Sequence, residues 1–112
     1  MQTATGGLAA TMFVALAIIV LAGGAEAAGG SGATVTIKNF DFQPMAVTVP
    51  VGGTVTWKNL DGEPHTVTGV DGSFRSATLD ENDTFSFKFS KPGVYKYLCT
   101  IHPKMVATVT VK

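Results

Sequence analysis

The chain has one cysteine, two histidines, one tryptophan and no excess of charge of either sign. A single cysteine, Cys99, excludes an intrachain disulfide framework, the usual staple of small exported domains. Eight basic residues against eight acidic ones give a formal net charge of zero, so the basic face that nucleic acid requires is missing and no nucleic-acid partner is expected. Charged residues make up only 14% of the chain and apolar ones 46%, which excludes a disordered polyelectrolyte. A length of 112 residues supports one domain. With both histidines and the cysteine placed as described below, no base beside a nucleophile is left over, so no enzyme is expected.

What is present starts with an apolar run. Leu8 to Leu21 carries no charge, and the first charged side chain is Glu26, within the small-residue pattern Ala25-Glu26-Ala27. Residues 1–27 therefore read as a signal peptide, although Met1 to Gly7 contains no Lys or Arg. The alternative is an uncleaved membrane anchor over residues 8–25, at the lower edge of a bilayer span. Either reading places the rest of the chain outside the cytoplasm, in the periplasm or otherwise exported, and membrane-tethered only if that segment is retained. Residues 28–33 read as a flexible linker and residues 34–112 as the folded domain. A domain that small is marginal without a staple, and with no disulfide a metal is the next candidate.

From Thr34 onward the period is two, with Val, Thr, Phe and Tyr enriched, and short runs are separated by Gly52-Gly53, Asp61-Gly62, Asp71-Gly72 and Lys91-Pro92-Gly93. Strands are expected at Thr34–Phe40, Ala46–Val49, Thr54–Lys58, His65–Thr68, Thr84–Ser90, Val94–Cys99 and Val106–Val111. In the clearest of them Phe85, Phe87 and Phe89 alternate with Ser86, Lys88 and Ser90, giving one core face and one wet face. No helical pattern follows the N-terminal run. The expectation is all-β: a Greek-key β-sandwich of seven to eight strands. Residues 70–83 are the least regular and are expected to wander across one edge.

The chemistry concentrates in Cys99-Thr100-Ile101-His102-Pro103-Lys104-Met105, where thiol, imidazole and thioether follow one another at three-residue spacing after a strand. The other histidine, His65, follows Pro64 at the entry to another strand. Each alone has a plainer reading: a buried small hydrophobe for Cys99, hydrogen-bonded histidines, and core filler for Met105. Together they supply two imidazoles, a thiolate and a weak axial thioether, the ligand set of a blue-copper site. Soft sulfur donors hold Cu(I), while imidazoles serve both oxidation states.

These residues resemble the cupredoxins, the plastocyanin–azurin family of small blue-copper proteins. The resemblance covers residues 34–112 and includes Phe42-Gln43-Pro44, Val51 to Asn59, Pro64-His65-Thr66-Val67, Pro92 to Tyr97 and the ligand loop. The short loop, with two residues between His102 and Met105, is similar to that of amicyanin. The resemblance implies a cupredoxin-like sandwich that binds one type 1 copper through His65, Cys99, His102 and Met105 and carries single electrons between a donor and an acceptor. It also implies an exposed His102 ring edge as the electron exit, within an apolar patch formed by Pro64, Ile101 and Pro103. Trp57 is expected in the core.

Two departures stand out. Thr66 occupies the position where amicyanin-like proteins commonly have Asn; it is expected either to bond the Thr100 backbone or to brace the ligand loop more weakly, with its own N–H still available to the Cys99 sulfur. Ile101 replaces a usual Pro, and its restored N–H is expected to give the sulfur a second bond. Glu63 and Lys104 stand where amicyanins tend to be apolar, which argues against an amine dehydrogenase and leaves a cytochrome or another copper protein as the expected redox partner, with the chain itself a monomer. Asp80-Glu81-Asn82-Asp83 reads as a solvated turn. The competing readings are a copper storage or delivery protein, for which the Met- or His-rich tracts are missing, and a structural β-sandwich with a non-redox metal site.

Overall fold

The computed structural model describes residues 31–112, so the expected signal or anchor segment and most of the expected linker lie outside the described residues. Among the described residues no helix is long and apolar enough to cross a membrane. Eight strands follow in order: β1 (Gly32–Lys38), β2 (Asp41–Gln43), β3 (Ala46–Val49), β4 (Gly53–Asn59), β5 (Thr68–Gly69), β6 (Thr84–Phe89), β7 (Gly93–Leu98) and β8 (Val106–Val111). They form two four-stranded sheets, ordered β2-β1-β4-β6 and β3-β8-β7-β5. The pairs β1–β4 and β3–β8 are parallel and the others antiparallel.

The period-two pattern explains the layers. Val35, Ile37, Val55, Trp57 and Phe89 point inward from one sheet and meet Val49, Tyr97, Val109 and Val111 from the other, all essentially without solvent contact. Phe85 and Phe87 pack against this core from β6 while Ser86 and Lys88 face water. Burying one aliphatic or aromatic side chain of this kind contributes about 1.5–3 kcal/mol.

The structure departs from the expected strands most in three places, besides one-residue shifts at the ends of β4, β6 and β7. First, β1 starts at Gly32, because Gly32 and Ala33 already pair with Thr54 and Val55. Second, Asp41–Gln43 is a strand that the pattern did not reveal. It pairs back onto β1 through a two-residue turn, Asn39-Phe40, which lacks the glycine that signals such hairpins. Third, the expected strand at His65–Thr68 shrinks to Thr68–Gly69. His65 makes only an isolated bridge to Leu79, and the Val67 amide donates to the Ser76 hydroxyl instead of a neighbouring strand.

Residues 70–83 hold no strand among themselves, as expected, yet they are anchored. Arg75 and Leu79 form single bridges to Thr68 and His65, while Phe74 inserts into the core and stacks on Trp57 and Phe87. The Asp80–Asp83 segment is a turn closed by the Asp83 amide on the Asp80 carbonyl and the Asp80 amide on the Asp83 carboxylate.

Candidate metal centre

Strand β7 ends at Leu98 and delivers Cys99 into the interior between the sheets, where it is fully buried. The chain then turns through Thr100–Lys104 before β8. The Cys99 amide donates to the Met105 carbonyl at 3.1 Å and the Met105 amide to the His102 carbonyl at 2.9 Å. These bonds close the short loop on itself and return Met105, 4% exposed, to the core. His102 stays on the loop and is only half-buried.

His65 arrives from the other sheet. Asn59, fully buried at the end of β4, shapes the intervening loop: its Nδ2 donates to the carbonyls of Glu63 and Leu79, and its Oδ1 accepts from the Asp61 amide, each at 2.9 Å. His65 exchanges two backbone bonds with Leu79, of 3.0 and 2.7 Å, which fix its main chain. The result brings one ligand atom each from His65, Cys99 and His102 within 4.8 Å of one another. Both imidazole Nδ1 atoms face the sulfur, at 3.8 Å for His65 and 3.9 Å for His102. Thus three of the four expected ligands converge, and the fourth, Met105, is buried at the foot of the same loop.

The surroundings hold these groups in orientation. The Thr66 amide donates to Cys99 Sγ at 3.3 Å, as expected. Thr66 Oγ1 accepts from the Thr100 amide at 2.8 Å and bonds the Thr100 hydroxyl at the same distance, so threonine does tie together the two segments that carry His65 and Cys99. The second N–H···S bond expected from Ile101 is not formed. Among the described residues, Thr66 is the one backbone donor to the sulfur, and the Ile101 side chain lies at the surface.

Asp61 is the neighbour that sequence reasoning missed, since Asp61-Gly62 reads simply as a turn. Its Oδ2 is 2.9 Å from His65 Nε2, which fixes the imidazole tautomer with Nδ1 left free for a metal. The carboxylate also accepts the amides of Asn39 (2.8 Å) and Phe40 (2.9 Å). Burial alone would raise its pKa, but the bonds from Phe40, Asn39 and His65 outweigh it and hold the carboxyl below its usual 3.8. Asn39 and Phe40 both have positive φ, 54° and 59°, a conformation that costs a non-glycine residue about 1 kcal/mol. The Phe40 ring lies edge-on to both His65 and His102. Outside it an open depression is lined by Phe40, Ile101, His102, Pro103 and Met105, with Asp41 and Lys104 at its margin.

The profile of the cupredoxin-like domain family matches residues 10–111. The chain belongs to the cupredoxin family. Its fold is similar to that of a purple cupredoxin from Nitrosopumilus maritimus, with 36% identity and a TM-score of 0.66 over 71% of this chain and 99% of that one. It is also similar to a copper-containing nitrite reductase from Thermus scotoductus SA-01, with 29% identity and a TM-score of 0.67 over 71% of this chain but only 22% of the reductase. Amicyanin-alpha of Methylorubrum extorquens is 43% identical over 44 residues, which is 39% of this chain and 37% of that relative. The donor set fits the family's metal. A buried cysteine sulfur with two imidazoles suits copper in both oxidation states, and a thioether side chain on the same loop favours copper over zinc.

Proposed function

We propose that this cupredoxin is a one-electron carrier working outside the cytoplasm, with a single copper held by His65, Cys99, His102 and Met105. The convergence of His65, Cys99 and His102 within 4.8 Å supports it most directly. When bound, copper supplies the Cu(II)/Cu(I) couple. The protein supplies a rigid frame for it. Asp61 fixes His65, the Thr66 amide takes up charge at the thiolate, and the Thr66–Thr100 contact joins the two ligand segments. A frame that does not rearrange keeps the energy of adjusting to each oxidation state small.

His102 is the half-buried member of the set and the natural contact for exchange. The apolar side chains of Ile101 and Phe40, 44% and 45% exposed, surround it and suit brief, weak docking. The partners are a redox donor and acceptor, a cytochrome or another copper protein, with Lys104 adding a polar contact at the margin of the patch.

Voltammetry on the copper-loaded full chain tests the proposal. A reversible one-electron wave that Cys99→Ser abolishes supports it. Tight copper binding with no reversible wave would turn the reading toward storage or delivery.

A further inference from the structure

We propose that Phe40 is a positioning residue that clamps the two imidazole rings in place before any metal binds, an inference that rests on the metal site proposed above. Three observations on one turn carry it. Asn39 and Phe40 close the two-residue hairpin between β1 and β2, both at positive φ, the dihedral pattern for which Asn-Gly is the easy sequence. The chain instead places a large aromatic residue at the second position, at a backbone cost that needs a compensating contact.

That contact is with the candidate ligands. The Phe40 ring stands edge-on to His65, with centroids 5.2 Å apart and planes at 88°, and edge-on to His102 at 4.8 Å and 90°. Both are favourable aromatic geometries. The two imidazoles are 5.0 Å apart, so the three rings form a closed triangle.

The hairpin is itself fixed to the site. The amides of Asn39 and Phe40 bind the same Asp61 carboxylate that holds His65 Nε2. His65 is thereby restrained at Nε2 and by the Phe40 ring, whereas His102 has no comparable hydrogen bond at its outer nitrogen among the described residues. Phe40 is the contact that orients His102. A plain surface role for Phe40 would explain its exposure, but not the strained conformation that aims its ring at two ligands.

The test uses the full chain with Phe40→Gly, which the positive φ favours and which therefore keeps the fold, and Phe40→Leu, which keeps apolar bulk without a ring edge. In the metal-free protein, imidazole NMR signals of His102 should show one ring orientation in the wild type. In both variants alternative orientations should become about two- to tenfold more populated, the loss expected for an aromatic edge contact. Thermal stability of Phe40→Gly should be equal or higher. Unchanged His102 ring order in both variants would overturn the clamp, even with a working copper site. A wild-type protein that takes up no copper would instead remove the proposed function, and the metal-free NMR would still decide whether the clamp exists.

Discussion

Replacing Asp61 with alanine should be among the most damaging single changes at the edge of the site. The carboxylate accepts three donors: the Asn39 amide at 2.8 Å, the Phe40 amide at 2.9 Å and His65 Nε2 at 2.9 Å. His65 is fully buried, so its N–H would be left without a partner at a cost of about 1–3 kcal/mol. The two amides belong to an exposed hairpin where water can replace the acceptor, and each should lose only about 0.5–1.5 kcal/mol. The total is roughly 2–6 kcal/mol, and at about 4–8 °C per kcal/mol for a domain this small the melting temperature should fall by at least about 8 °C.

Acid provides a second signature of the same interaction. Because the folded-state carboxyl titrates below its usual 3.8, its stabilisation is complete above that value and is lost as pH falls through the lower folded value. The gap between wild type and Asp61→Ala should therefore be widest near neutral pH and narrow in strong acid. The assay is thermal unfolding of the metal-free protein followed by circular dichroism at both pH values. A drop at neutral pH below about 4 °C, equivalent to less than ~1 kcal/mol, or a gap that does not change with pH, would refute the argument.

Other substitutions probe separate links. Thr66→Val leaves the Thr100 amide without its acceptor and should cost about 1–2 kcal/mol in urea unfolding, while the Thr66 amide bond to Cys99 Sγ remains. Ile101→Pro removes no bond to the sulfur, so the reduction potential should move by well under the ~59 mV that a tenfold change in a one-electron equilibrium represents; a larger fall by voltammetry would restore the second N–H···S bond. Tyr97 is buried with no hydrogen-bond partner for its hydroxyl, and desolvation pushes its pKa up to about 12, the neighbouring Trp57 offsetting a little. A raised folded-state pKa means its contribution is intact below the ordinary value near 10 and is lost as pH rises towards 12. Tyr97→Phe should accordingly be neutral or slightly stabilising at neutral pH and should resist unfolding between about pH 10 and 12 better than wild type, as read by alkaline titration.

The parts of the molecule legible in the sequence are those that a local pattern encodes. Alternation of Phe85, Phe87 and Phe89 with polar residues marks β6, and Ala46–Val49 and Val106–Val111 have the expected bounds. The Cys99–Met105 spacing identifies the loop because thiol, imidazole and thioether are rare together. Contacts made across the fold left no such trace. Asp61 looks like half of a turn until β1, β4 and the His65 loop bring Asn39, Phe40 and His65 around it. Phe40 sits in a hairpin without glycine, and Phe74 lies in an irregular stretch, so neither announces that it packs on His65 and His102 or on Trp57. The absent Ile101 bond is a lesson of a different kind. Restoring an N–H shows that a donor exists, but only the course of the loop decides where it points.

The most direct measurement is a titration of the purified full chain with Cu(II), followed by visible absorption and then by a mild reductant. An intense thiolate-to-copper band is expected that saturates at one copper per chain, bleaches on reduction and returns on reoxidation. A folded protein that stays colourless, or whose colour survives Cys99→Ser, would contradict it.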